Sequence, residues 1–284
     1  HRDLHSFPTR RSSDLTLAYV LGPLVRKLKG EILLSTGKPR DSAGARPDLM
    51  ELRGRRLCWC NETEEGRKLD ISLVKELAGG DTIAARALYQ GMVNFQPTHT
   101  IALSTNYRPR IPTNPIDPIW DRLLMFPFRL RFTNKPQAPH ERLKDRLLRK
   151  KLEKEASGIL SWLVKGAIAW GRLENFIPPE NITKATKGYQ AEEDIVGQFI
   201  LECCIVNPGA TVRGGQLYSA YKKWAEENGI RPIAQNKFGP NIAQRFIKDP
   251  KETKYAVYLG IGLLSPLQDR KSKRLNSSHR IRYR

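Results

Sequence analysis

Two short apolar runs, each stopping on polar residues, most constrain what this chain can fold into. The first, Leu57-Cys58-Trp59-Cys60, passes through Asn61 into Glu62-Thr63-Glu64-Glu65 and Gly66; the second, Thr100-Ile101-Ala102-Leu103-Ser104, ends at Thr105-Asn106. Short runs without polar alternation fit strands covered on both faces, the kind found in parallel sheets flanked by helices. Between them Ser72 to Leu77 has helical spacing, followed by Gly79-Gly80-Asp81. Strand, helix, strand predicts an α/β domain whose site gathers at the carboxyl ends of the strands. A carboxylate fixed at such an end can hold Mg²⁺ through water and polarise a second water towards a phosphate. Glu62 and Glu64 are the candidates for this, and a solvated, glutamate-rich turn is the alternative.

The rest of the chain divides by periodicity. Apolar residues from Thr16 to Lys29 recur at helical spacing, with Pro23 as a kink, and Thr36 to Pro47 reads as a loop. Ala84–Tyr89 and Met92–Phe95 flank Gln90-Gly91 as a hairpin. After the proline-rich connector 109–118, a third strand is expected over Leu123 to Phe132, then one or two helices over 140–173, closed by Pro178-Pro179. Beyond Val212 come an amphipathic helix at Gln216–Glu227, a second at Gln235–Ile247 and a strand-like segment at Lys254–Leu263. Helix, turn, helix, strand is the order of a winged helix.

Forty-nine Lys and Arg against 29 Asp and Glu give a net charge of +20, which points to a polyanion, most often nucleic acid. Not all of that charge is expected to be native. His5–Leu15 and Asp269–His279 resemble in-frame translations of paired sequencing adapters, so residues 1–15 and 269–284 are expected to be artefactual and the natural chain to be cut at both ends. Those ends carry +1 and +6, leaving +13 on residues 16–268. Leu17–Val25, the longest apolar run, is too short to cross a bilayer, so no membrane association is expected. Cys58 and Cys60 share a strand face and read as core. Cys203-Cys204 reads as packing on a helix, and with no disulfide or zinc spacing a reducing, intracellular setting is expected.

Taken in order, several segments resemble superfamily III helicases, in the poxvirus-type branch of phage and plasmid primase-helicases. They are G-R-R-L-x-x-x-x-E-T-E-E-G at 54–66, K-E-L-A-G-G-D-x-I-x-A-R-x-L-Y at 75–89, F-Q-P-T at 95–98, L-S-T-N at 103–106, W-D-R-L-x-x-F-P-F at 120–128 and L-x-x-E-x-x-G-I-L-x-W at 152–162. The resemblance implies a P-loop, AAA+-like ATPase domain (16–135), a helical region (136–195) and a C-terminal winged-helix domain (196–268). It also implies ATP and Mg²⁺ as cofactors, DNA as partner, assembly as a ring, usually a homo-hexamer, and the cytoplasm of a bacterial or phage-infected cell as its setting.

Residue by residue, Glu62 and Glu64 match the Walker B acids and Asn106 the sensor of the γ-phosphate. Arg122 matches the arginine finger offered to a neighbouring subunit. Singly, Asn106 also reads as a strand-capping turn residue and Arg122 as a surface ion pair. Lys75, Arg86 and Tyr89 lie in the segment that leads to a DNA-contacting hairpin, although Lys75 and Arg86 also fit ion pairs with Asp70 and Asp81. In the second C-terminal helix Lys237, Asn241, Gln244, Arg245 and Lys248 are placed to face a groove; a helical domain that packs on the ring is the alternative. The sequence departs from the family in one place. The only Gly-Lys, Gly37-Lys38, is followed by Pro39 and preceded at the required distance by Ile32, so the P-loop is absent. The expectation is a fragment beginning just after it, carrying half of an ATP site. A non-enzymatic replication initiator or regulator using the winged helix alone is the reading from another class.

Overall fold

A computed structural model describes residues 8–37, 44–61 and 64–264. The described residues form two compact units: those up to Pro112 with Pro118–Thr186, and Thr113–Asp117 with 187–264.

In the first unit α1 (Pro8–Leu21) stops where Gly22 takes a positive φ of 52° and Pro23 offers no N–H to continue the ladder. After one 3₁₀ turn the chain becomes β1 (Val25–Lys29). The helix expected through Lys29 is thereby corrected, because Val25 and Leu28 have helical spacing from Leu21 but lie beyond the break. A second 3₁₀ turn (Gly30–Leu33) buries Ile32 and Leu33. The short α2 (Pro47–Met50) starts with proline at its first position and buries Leu49.

β2 (Leu57–Asn61) follows, with Cys58 and Cys60 fully buried. Next comes α3 (Ile71–Ala78), capped by the Asp70 carboxylate, which accepts from Leu73 N at 3.0 Å; such a cap contributes about 1 kcal/mol. It packs Leu73, Val74 and Leu77 inward and ends at Gly79, where a Cβ would stand 2.7 Å from the Lys75 carbonyl oxygen. β3 (Ile83–Ala85) and β4 (Val93–Phe95) pair antiparallel, Ile83 opposite Phe95, as the expected hairpin with shorter arms. β5 (Thr100–Ser104) completes a parallel sheet in the order β1-β2-β5. Its register aligns Lys29 with Asn61 and Asn61 with Ser104, so all three strands end together. Beyond that edge the chain re-pairs. Leu34 bridges Leu69, Lys68 bridges Arg110, and the Arg110 carbonyl accepts from Leu69 N at 2.9 Å.

A 3₁₀ helix (Pro118–Arg122) is anchored by buried Ile119 and Trp120. The third strand expected over 123–132 is reduced to β6 (Arg131–Thr133), which pairs with β7 (Glu141–Leu143). Residues 123–130 lie outside regular structure, and 123–128 alternate in exposure without a ladder. Pro127 lacks a donor, and Met125 N is spent on Thr186 Oγ at 3.0 Å. The helical region is two helices, α4 (Leu148–Lys154) and α5 (Ala156–Gly171), neither burying a residue, followed by α6 (Glu180–Glu193).

The second unit runs α7 (Ile195–Cys203), β8 (Cys204–Arg213), α8 (Gly214–Glu227), α9 (Gln235–Ala243) and β9 (Val257–Leu263), with β8 and β9 antiparallel. Cys204 opens a strand and does not lie on the helix expected from sequence. Phe199, Leu217, Tyr221, Phe238, Ile242 and Ile261 are each at most 1% exposed. Tyr221 stacks on Phe238 at 4.7 Å and meets Phe199 edge-on at 5.5 Å. Each such side chain contributes about 1.5–3 kcal/mol on burial, so this cluster is what holds α7, α8, α9 and both strands together.

Candidate functional site

The common carboxyl edge of β1, β2 and β5 concentrates the polar residues of the first unit. Asn61 and Ser104 are register partners, so the acidic segment after β2 and the Thr105-Asn106 turn after β5 leave from adjacent strand ends. Glu62 lies outside the described residues. Glu64 is present with its side chain 82% exposed, 3.1 Å from Arg67 Nη1, on a turn that Gly66 closes at φ +75°. Asn106 is exposed. Thr105 shapes this turn, its hydroxyl accepting from Tyr107 N at 3.1 Å and donating to the Tyr107 carbonyl at 2.8 Å.

One residue at this edge escaped the sequence reading. Asn61, the last of β2, has a buried Oδ1 with no hydrogen-bond partner among the described residues. An orphaned buried acceptor costs about 1–3 kcal/mol, which marks a position where an incoming donor is stabilised. The signal in the sequence is the first polar residue after Leu57-Cys58-Trp59-Cys60. Behind it, burial pushes the Cys58 and Cys60 thiols up to about 11 and about 12, so both are neutral packing groups.

This edge fits a nucleotide only in part. It presents a carboxylate, an asparagine and an orphaned acceptor, but no loop of backbone N–H groups to cradle a triphosphate is found among the described residues. Nor do they gather three or more His, Cys, Asp or Glu side chains to hold a metal ion directly.

Arg122 projects from the end of its 3₁₀ helix, exposed, with Nη1 donating to the Pro118 carbonyl at 3.0 Å. Lys75 and Arg86 are half-buried, and neither is without a partner inside the chain. Tyr89 stands alone in geometry. It caps the β3–β4 loop at φ +60° and is fully exposed, beside exposed Leu88 and Met92.

In the second unit Lys237 is exposed on α9, and Lys248 is exposed while its backbone bridges Tyr258. Arg245 is committed elsewhere. Its guanidinium clamps Asp194 at 2.6 and 2.9 Å, so its charge is turned towards α7 and is spent inside the unit.

Against known proteins, residues 191–268 match the family described as "Poxvirus D5 protein-like". The chain is 28% identical over 226 residues to "Putative helicase L207/L206" of Acanthamoeba polyphaga mimivirus, covering 75% of this chain and 23% of that protein. It is 25% identical over 222 residues to "Putative helicase 022R" of Frog virus 3, covering 74% and 22%. With "Putative primase C962R" of African swine fever virus it shares 27% over 195 residues, covering 63% and 20%. The chain thus spans about a fifth of the length of the curated relatives it matches. No helix among the described residues is long and apolar enough to cross a membrane. The chain carries a family-level resemblance to viral helicase and primase proteins.

Proposed function

We propose that this chain is part of an ATP-dependent DNA helicase of the phage or plasmid primase-helicase type, assembling as a ring, usually a homo-hexamer. The observation that carries the reading is the parallel order β1-β2-β5, with Asn61 in register with Ser104. That register brings the acidic segment and Asn106 to one edge, as a Walker B and sensor pair requires. In this reading one of Glu62 and Glu64 would hold Mg²⁺ and the other polarise the attacking water, Asn106 would contact the γ-phosphate or that water, and the phosphate cradle would come from residues other than those described. Arg122, rigidly based and exposed, serves a neighbouring subunit's site. The exposed Tyr89 tip meets DNA as the end of a short ribbon, with Lys75 and Arg86 in the segment that leads to it. The order α7-β8-α8-α9-β9 supports a winged helix whose α9 and following loop, through Lys237 and Lys248, face DNA.

DNA-stimulated ATP hydrolysis by the chain with its upstream coding sequence restored is the test. Turnover in the extended protein, and none in the 284-residue chain, supports the reading. DNA binding without hydrolysis by the extended protein overturns it in favour of a regulator.

A further inference from the structure

An apolar helix of the first unit stands uncovered. In sixteen residues α5 carries one charge, Lys165, and it buries none of its side chains. Leu160, Trp162, Val164, Ile168 and Trp170, spread around its circumference at 100° per residue, are between 42% and 71% exposed. Phe176 leans on Trp170 with ring centres 4.8 Å apart, which holds that side chain in place before anything binds. A helix apolar on all sides belongs inside a protein or a membrane. Sixteen residues rise about 24 Å, short of the roughly 30 Å hydrocarbon core of a bilayer, so its cover is protein.

A second apolar surface begins two residues beyond Arg122. Leu124, Phe126, Phe128 and Leu130 are between 43% and 57% exposed, and the first three alternate with half-buried Leu123, Met125 and Pro127, which puts them on one side of the segment. At these exposures the nine side chains of the helix and the stripe leave on the order of 1,000 Å² of apolar surface in water. That exceeds the largest apolar patch of a typical monomer, about 300–600 Å². It is close to the apolar share, about 60%, of a stable interface of about 1,600 Å².

We propose that α5 of one copy of this chain packs on the 124–130 stripe of the next, and that this contact repeats around the ring. The proposal rests on the ring reading above and names the two surfaces that build it. A ring needs a heterologous contact, one surface meeting a different one, so that each copy keeps an open half for its next neighbour until the circle closes. One helix and one stripe per copy supply that pair. The stripe continues directly from Arg122, which the same reading sends into a neighbouring copy's site, so it faces the copy that covers it. Trp162 and Trp170 are the large, stiff anchors of the helix side.

Sedimentation of the full 284-residue chain across a dilution series is the test. The wild type is expected to form a closed species of defined mass. Trp162→Gln with Ile168→Gln disables the helix surface, and Phe126→Gln with Phe128→Gln the stripe; each pair is expected to weaken association at least about tenfold, the effect of losing one buried anchor. An equimolar mixture of the two double variants keeps one sound contact, α5 of one with the stripe of the other, and is expected to stop at a one-to-one pair. All four side chains are exposed in the single chain, so circular dichroism should be unchanged; Ile168→Gln or Phe128→Gln alone replaces a pair that loses its fold. Leu201→Gln, at an exposed apolar residue of α7, is the control. Association unchanged in either double variant, a mixture no stronger than its components, or equal weakening by Leu201→Gln overturns the proposal while the ring reading stands. A wild-type chain that stays monomeric also overturns it. If the upstream-extended protein then still forms a ring, other residues of the same polypeptide cover the two surfaces; if it too is monomeric, the ring reading falls as well.

Discussion

Asp194 and Arg245 form a two-pronged ion pair, 2.6 and 2.9 Å long, with side chains only 14% and 17% exposed. Asp194 Oδ1 also accepts from Gly197 N at 2.9 Å, so a single carboxylate caps α7 and ties it to the turn after α9. Removing Arg245 strands a largely buried charge. Arg245→Ala is expected to lower unfolding stability by about 2–3 kcal/mol, read by urea denaturation. Asp194→Ala with Arg245→Ala should cost less than the sum of the single changes, because the two share one interaction.

Tyr89 at φ +60° sits where side chains with a Cβ are strained. Tyr89→Gly is therefore expected to be more stable than Tyr89→Ala by about 1 kcal/mol, the reverse of their usual order. Both should weaken single-stranded DNA binding equally if the exposed ring makes the contact, which fluorescence anisotropy reads.

His99 introduces a pH dependence. Neither buried ring nitrogen reaches good hydrogen-bond geometry with a partner among the described residues, and burial lowers its pKa, an effect the Leu77 backbone only partly offsets. The folded form thus binds a proton less readily than the unfolded chain. Its stabilising contribution is complete above about pH 6.5, the unfolded value, and is lost as pH falls through the lower folded value. His99→Gln should flatten the acid side of a stability-against-pH curve; an unchanged curve would remove His99 as its source.

The thiols divide by burial. Cys58, Cys60 and Cys204 are buried, with pKa values pushed up to about 11, 12 and 12, while Cys203 is half-buried. Labelling of the native chain at pH 8 is expected to modify at most Cys203 rapidly, and all four in denaturant.

Where the sequence was legible, one local force dominated. The runs at 57–61 and 100–104 do form paired parallel strands, although only Cys58 and Cys60 are buried and 101–104 are half-buried, and Leu217, Tyr221 and Trp224 leave α8 one way to pack. It misled where a single residue or a distant partner decides. Gly22 ends a helix whose spacing continues past it. The register shift between Val206 and Thr211 hides β8. Pro127 keeps an alternating segment out of a sheet. At the candidate site, polar residues ending apolar runs were visible, whereas the orphaned Asn61 oxygen needs the burial of its neighbours to be seen. Arg245 read as a DNA contact because nothing local announces Asp194, 51 positions away.

The central claim is that the carboxyl edge of β2 is one half of an ATP site. It is tested most directly by nucleotide binding and turnover of the upstream-extended protein with Glu64→Gln. Hydrolysis reduced at least about 100-fold, an effect of the size expected for a group acting only in the transition state, with nucleotide affinity retained, is the predicted result. Turnover equal to wild type would contradict it.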